Sequence, residues 1–286
     1  FCWPVAIVVK PEFGIVSPSY PKNFFFTANA SQILKLEGKD KKSNWFTGKN
    51  RKYLNASELG DFRTTLQMCI LLSRSLRRMH QAGLAHSDLS FNNVLTDPKT
   101  GTCVIIDIDS LVVPGLFPPE VIGTRGYVAP EVLQTLGMER SKRKYPGVQT
   151  DLHSMAVLMY EYIFLRHPII GPKIYSRDAE EDDFLCLGEC ATFIEDPDDT
   201  SNRPPDLKVT IKDLGPYLEK LFLDVFSKGL HSPDKRPSAM EWERGLVKTW
   251  NMLHSCSNPN CEKRHFILYD IQAPVCPFCS KLDFFR

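Results

Sequence analysis

The first apolar positions form two short runs, VAIVV at residues 5–9 and IV at 15–16, around the turn KPEFG. Two apolar runs flanking a Pro/Gly turn predict a β-hairpin. Residues 27–60 are polar and basic, carry Gly38, Gly48 and Gly60, and read as loop with a short helix. From 61 to 81 the period changes: Leu66, Cys69, Ile70, Ser73, Leu76, Met79 and His80 recur at three- and four-residue steps, a helix with one buried face. Gly83 stands where a C-cap belongs.

Residues 101–109, GTCVIIDID, place an apolar triplet between turn signals and predict a buried strand. Residues 85–95, AHSDLSFNNVL, then fall on a loop between helix and strand. Residues 110–131 are rich in Pro and Gly and read as irregular; 151–165 read as a buried helix. Residues 171–207, with EEDD and DPDD, read as an acidic, solvated excursion. Residues 214–230 form an amphipathic pattern ending at Gly229, and 237–250 form another. Ser238 and Glu241 have capping-box spacing, although Pro237 leaves the cap position open.

Composition narrows the classes. Of 286 residues, 43% are hydrophobic and 24% charged, enough for a sizeable core. A formal net charge of +1 gives no reason to expect bulk binding of nucleic acid or of an acidic membrane. The most apolar stretch, residues 155–165, is interrupted by Glu161 and is short of the roughly 18 residues of a membrane span. Nine cysteines, an odd total with five of them scattered, fit a reducing, cytoplasmic setting.

The other four thiols, Cys256, Cys261, Cys276 and Cys279, are spaced C-x4-C and C-x2-C. Two close pairs of thiolates suit a tetrahedral structural Zn²⁺, which would supply folding energy to a tail too short to bury its own core. Disulfides or a redox C-x-x-C are the alternatives, and His254 and His265 read as bystanders. A closed four-sulfur site leaves no open position for catalysis.

Within the 85–95 loop, Asp88 and Asn93 stand five residues apart. Residues 86–93, HSDLSFNN, resemble the protein-kinase catalytic loop H-R-D-L-x-x-x-N. Further matches follow in order. VIIDID at 104–109 sits where a strand leads into the metal-binding D-F-G. GTRGYVAPE at 123–131 is similar to the end of the activation segment. TDLHSMAVLMYE at 150–161 resembles the central buried helix, and HSPDKRPSAMEW at 231–242 the last part of the C-lobe.

That resemblance implies an α+β, protein-kinase-like fold: mainly the helical C-lobe, a partial N-lobe sheet, and a small zinc ribbon. It divides the chain into N-lobe strands and hinge at 1–22, C-lobe at 23–252 and zinc-ribbon-like tail at 253–286. The implied activity is transfer of the γ-phosphoryl group of ATP to protein serine or threonine hydroxyls. Asp88 would orient the attacking hydroxyl, with Thr124 beside it. Asn93 and Asp107 would hold Mg²⁺ through oxygen ligands. Ser17, Ser19 and Tyr20 would form the hinge against adenine, and Ser90 would stand near the phosphates. Glu131 and Arg236 would form a buried ion pair, and Asp151 would brace the catalytic loop.

The departures are informative. Ser87 replaces the arginine that commonly pairs with a phosphorylated activation segment, so control by phosphorylation, for example at Ser110, is not expected. Ser90 replaces a lysine, with Arg125 as a substitute cation. Ile108 and Asp109 replace the Phe and Gly of D-F-G, Asp109 reading either as a second carboxylate near Mg²⁺ or, by preference, as a surface acid. There is no G-x-G-x-x-G, and no lysine precedes the hairpin as the ATP-anchoring strand would require. A chain starting at Phe1 is expected to be an N-terminally incomplete, weakly active fragment of a kinase; a pseudokinase scaffold that binds partners is the competing reading.

The kinase-like order followed by CSNPNC and CPFC, with GLAHSDLS, IDID and RHP, is similar to the bacterial kinases of the tellurite-resistance-associated TerY-type phosphorylation system, YegI-like proteins included. That likeness implies as partners a protein substrate, a PP2C-type phosphatase and a von Willebrand-type protein, with no nucleic acid and no membrane.

Overall fold

The computed structural model describes residues 3–108, 111–116, 122–272 and 274–283. The two N-terminal apolar runs pair as an antiparallel hairpin, β1 (Ala6–Val8) and β2 (Gly14–Val16), with Ala6 opposite Val16. Short helical turns follow, among them α1 (Asn44–Thr47) and α2 (Ala56–Leu59). They close over a small core of Phe26, Ala30, Leu36, Phe46 and Leu54.

Helix α3 (Phe62–Gln81) starts where Asp61 and Thr64 cap each other, side chain to backbone amide, both at 2.9 Å. Reciprocal capping satisfies two otherwise orphaned donors. Its buried stripe of Phe62, Leu66, Cys69, Leu72, Leu76 and Met79 faces the main core. The helix gives way at Gly83, whose φ of +77° lies in the left-handed region.

A second hairpin follows, β3 (Val94–Asp97) and β4 (Thr102–Ile105), with Val94 opposite Ile105. The sequence pattern predicts only the second of these strands. Every residue of β3 is buried, so no alternation betrays it. At its end Asp97 lies 3.2 Å from the ammonium of Lys41, which also meets Glu58 at 2.8 Å, all three side chains being buried.

Helix α4 (Pro130–Leu133) precedes α5 (Val148–Phe164). Helix α5 is buried on almost every side, as its near-continuous apolar sequence requires.

The acidic 171–207 segment is not simply a solvated excursion. It contains α6 (Ala179–Leu187), capped by Asp178, with Glu180, Glu181 and Asp182 in its first turn. Carboxylates there are favoured by the helix dipole, so the charge run marks a helix start. Farther on, Phe193 and Ile194 enter the main core. Asn202, fully buried, donates to the carbonyls of Ile169 at 2.6 Å and Thr192 at 2.8 Å.

Helix α7 (Gly215–Leu223) runs on into a π-helical turn, Asp224–Lys228. Ser238 proves to be the cap of α8 (Ala239–Trp250), in a capping box with Glu241. Helix α8 lies along α3. The last hairpin, β5 (Leu253–Ser255) and β6 (His265–Ile267), carries the cysteine-rich loops. No described helix is long and apolar enough to cross a membrane.

Candidate active site and cysteine cluster

The loop between α3 and β3 is fixed from below by one buried carboxylate. Asp151, in the first turn of α5, accepts the His86 amide at 2.8 Å and the Ser87 amide at 3.2 Å. His80 of α3 reaches the same carboxylate at 3.0 Å. The buried His86 ring donates from Nε2 to the Ile106 carbonyl at 2.9 Å, linking the loop to the chain beyond β4. Ser87 has a φ of +65°, a conformation a side chain enters at a cost, and Asp151 holds the amide that pins it.

Both oxygens of Asp88 are engaged. Oδ1 accepts from the Thr124 amide at 2.7 Å and its hydroxyl at 2.8 Å; Oδ2 accepts from the Asn93 side-chain amide at 3.0 Å. The same Asn93 nitrogen donates to the Asp88 carbonyl at 2.8 Å. With its nitrogen turned to Asp88, Asn93 directs its Oδ1 to the other side. The Asn93 carbonyl accepts from the Ile106 amide at 2.9 Å, which brings Asp107 beside the loop. Asp107 is exposed and has a φ of +60°. An amide oxygen and a carboxylate are hard oxygen donors of the kind Mg²⁺ takes.

The segment after Gly123 closes over this loop. A Cβ on Gly123 would lie 3.0 Å from Val128 and 3.3 Å from the Ser87 carbonyl, with φ at +119°, so glycine permits the approach. Tyr127 is held three ways. Its carbonyl accepts from Ser154 Oγ at 2.8 Å, its hydroxyl donates to Glu161, and its ring meets Phe91 edge-on at 5.3 Å. Burial pushes the Glu161 carboxyl up to about 7, against the smaller opposing pull of the Tyr127 hydroxyl. Below the segment, Arg236 makes a two-pronged pair with Glu131 at 2.7 and 2.8 Å. It also donates to the carbonyls of Gly229, Gln149 and Leu230. Beside Gly123 opens a cavity of about 390 Å³ lined by Ile122, Val128, Leu133, Leu136, Phe184 and Leu187.

The other candidate residues fall apart from this constellation or turn away from it. Ser90 is fully buried, and its hydroxyl accepts from the Asn92 amide at 3.3 Å, a role within the loop's own turn. Arg125 pairs with Asp183 of α6. Ser17 and Ser19 are exposed and Tyr20 half-buried, in the stretch that follows β2. Asp109 and Ser110 lie outside the described residues. Sequence reasoning missed the fastening roles of Ser154, Glu161 and His167. The one available signal was a lone acid, Glu161, inside an apolar helix.

At the C-terminus the four sulfurs converge. Cys256 and Cys279 Sγ lie 3.5 Å apart, Cys261 and Cys276 Sγ 3.9 Å apart, and all four ligand atoms lie within 4.8 Å of one another. Those separations are far beyond a disulfide bond and suit the edges of a tetrahedron with metal–sulfur distances near about 2.3 Å. His254 stacks edge-on with Phe266, and His265 faces Asp61 at 3.4 Å; neither belongs to the sulfur cluster. The adjoining loop is fastened to α3: Lys263 accepts from the Phe62 amide at 2.9 Å, and the Phe62 and Phe278 rings lie 5.2 Å apart.

Human serine/threonine-protein kinase MRCK gamma is 29% identical over 121 residues, 39% of this chain and 7% of that protein. Yeast serine/threonine-protein kinase PSK1 is 32% identical over 119 residues, 39% of this chain and 8% of that protein. A probable serine/threonine-protein kinase of Streptomyces coelicolor is 28% identical over 113 residues, 37% of this chain and 16% of that protein. The chain thus spans only a small part of the length of these relatives. The model of the protein kinase domain matches residues 35–244, which is most of the chain, and the chain therefore belongs to the protein kinase domain family.

Proposed function

We propose that the protein is a serine/threonine protein kinase that transfers the γ-phosphoryl group of ATP to a hydroxyl of a protein substrate. The observation that carries the reading is the clamping of Asp88 between Thr124 and Asn93, next to Asp107. Phosphoryl transfer asks the protein chiefly to position groups and to neutralise charge.

Asp88 accepts the hydrogen bond of the attacking hydroxyl and aligns its oxygen with the γ-phosphorus. As the new P–O bond forms, the bond to the β–γ bridging oxygen breaks and ADP departs; the hydroxyl proton passes to Asp88. Thr124 holds Oδ1, so the carboxylate keeps one orientation through the step. Asn93 Oδ1 and the Asp107 carboxylate would hold Mg²⁺, which would supply positive charge to offset that of the phosphates. Ser17, Ser19 and Tyr20 are the proposed adenine hinge. The cavity beside Gly123 is on the side where a protein acceptor would lie.

The four cysteines hold a structural Zn²⁺ in a ribbon-like tail. The activity is independent of activation-segment phosphorylation, since Ser87 stands where the phosphate-binding arginine would be and the 123–131 segment is fastened by Asp88, Ser154, His167 and Arg236. The motif order joined to the cysteine cluster supports a TerY-type assignment, which brings a PP2C-type phosphatase and a von Willebrand-type protein as proposed partners.

The test is ATP-dependent autophosphorylation and transfer to a generic protein acceptor, using the full-length protein beside Asp88→Asn. Transfer by the wild type alone supports the reading. Equal signals in both proteins, or none in either, would overturn it in favour of a partner-binding scaffold.

A further inference from the structure

The peptide backbone between Thr124 and Tyr127 is tied at one end to the catalytic loop through Asp88 and at the other to α5 through Ser154 and Glu161. Between these ties stands Gly126, whose φ is +86° and whose carbonyl accepts from His167 Nε2 at 2.8 Å. His167 is part of a different element, the turn that leaves α5 after Leu165.

The protonation of this ring follows from its neighbours. Nδ1 faces two backbone donors, the amides of Ile169 at 3.1 Å and Ile170 at 3.2 Å. A nitrogen that receives two N–H groups cannot carry a proton itself, so the proton resides on Nε2 and is donated to Gly126. Burial agrees, holding the ring in its neutral form with a pKa lowered to about 4. The ring lies in ordinary van der Waals reach of the turn: a Cβ on Gly126 would be 3.7 Å from His167 Nε2. The ring thus fills the space under the segment and supplies a donor where the left-handed turn presents its carbonyl.

We propose that His167 is a positioning residue for the protein substrate, holding the Gly126 turn by its Nε2–H in place of a phosphate-dependent contact. This rests on the kinase reading above. The turn lies between Thr124, which touches Asp88, and Val128, which lines the 390 Å³ cavity, so its displacement disturbs the acceptor side of the site. His167 is bonded to the backbone of Gly126, Ile169 and Ile170, on the acceptor side of Asp88 in this reading, and ATP binding should be indifferent to it.

Two substitutions separate the halves of the ring. His167→Asn retains an acceptor near the Nδ1 position, for the Ile169 and Ile170 amides, but removes the donor to Gly126. His167→Gln restores a donor with the reach of Nε2. In steady-state assays of the full-length protein, His167→Asn should raise KM for a protein acceptor about three- to tenfold, the worth of one neutral hydrogen bond. KM for ATP and the melting temperature should stay near wild type, and His167→Gln should recover most of the loss. An unchanged acceptor KM in His167→Asn would overturn the proposal. So would equal losses in both KM values with a lowered melting temperature in both variants. Independently of any variant, the imidazole ¹⁵N spectrum of the wild type at pH 7 should show His167 protonated on Nε2; protonation on Nδ1 would overturn it. If Asp88→Asn is inactive while His167→Asn is normal, the kinase reading stands and this inference alone falls.

Discussion

The side-chain amide of Asn93 donates at once to the carbonyl and to the carboxylate of Asp88, at 2.8 and 3.0 Å. The two residues are therefore one unit: the proposed hydroxyl-orienting group is aimed by the proposed metal ligand. Asp88→Asn replaces one acceptor oxygen by a donor and confronts the donors of Thr124 and Asn93. Transfer should fall by about 10²- to 10⁴-fold, the usual worth of a positioned general base. Because the shape is unchanged, the melting temperature should move little. Asn93→Ala should lower the rate and also raise the Mg²⁺ concentration needed for half-maximal activity. Titrating Mg²⁺ against rate for both variants checks the division of labour; an unaltered Mg²⁺ requirement in Asn93→Ala would refute its ligand role.

Arg236 is fully enclosed, and every direction its guanidinium points is met: Glu131 by two bonds, and the carbonyls of Gly229, Gln149 and Leu230. Removing the cation leaves a largely buried carboxylate unpaired and takes one donor from each of three carbonyls. Arg236→Leu should cost about 3–5 kcal/mol, seen as a drop in the urea midpoint with little change in slope. Glu131→Gln keeps the shape and part of the hydrogen bonding and should cost less. A midpoint within error of wild type for Arg236→Leu would contradict this account.

The helices that bury one face were legible in the sequence. Leu66, Cys69, Leu76 and Met79 announce α3 by spacing alone, and Ser238 with Glu241 announces the start of α8. The candidate loop was legible because its polar groups are contiguous, Asp88 and Asn93 lying on one short stretch. What failed shares a cause: the deciding partner is remote in sequence. Lys41 belongs to the polar, basic 27–60 stretch that reads as loop, yet it is buried because Glu58 and Asp97 arrive from other segments. The EEDD run reads as solvent-seeking, and its dipole role in α6 appears only once Asp178 is seen to cap a helix. His167 stands in the quoted RHP stretch, but nothing local reveals its role, since both its donors and its acceptor are backbone atoms.

The cysteine cluster makes a prediction about α3. The Phe62 amide, at the first position of that helix, is satisfied by the carbonyl of Lys263, two residues past Cys261, and the Phe62 ring packs on Phe278 between Cys276 and Cys279. Metal analysis of protein purified without chelator should give one zinc per chain. Stripping it with a strong chelator should lower the melting temperature. It should also reduce amide-exchange protection in β5, β6 and the first turn of α3, leaving the middle of α5 protected. Cys276→Ser should reproduce the pattern. Full protection at the start of α3 after complete metal loss would show that the tail is not coupled to the helix.

Glu161 yields a pH dependence of definite sign. Its carboxyl is raised by burial from the ordinary 4.5 to about 7, so between those values the folded chain holds a proton that the unfolded chain has lost. Its contribution is therefore fully present below about pH 4.5 and is lost as pH rises through about 7. The shift corresponds to an upper bound of about 3 kcal/mol. Glu161→Gln has no such proton to lose. The stability of wild type minus that of the variant, from urea unfolding at matched ionic strength, should thus decline steadily from pH 5 to pH 8 and then level off. Tyr127→Phe removes the hydroxyl that favours the charged carboxylate and should move the decline to higher stability loss above pH 7. A difference between wild type and Glu161→Gln that stays flat across this range, or that grows with pH, would mean that the carboxylate is ionised throughout and is fully satisfied by its surroundings.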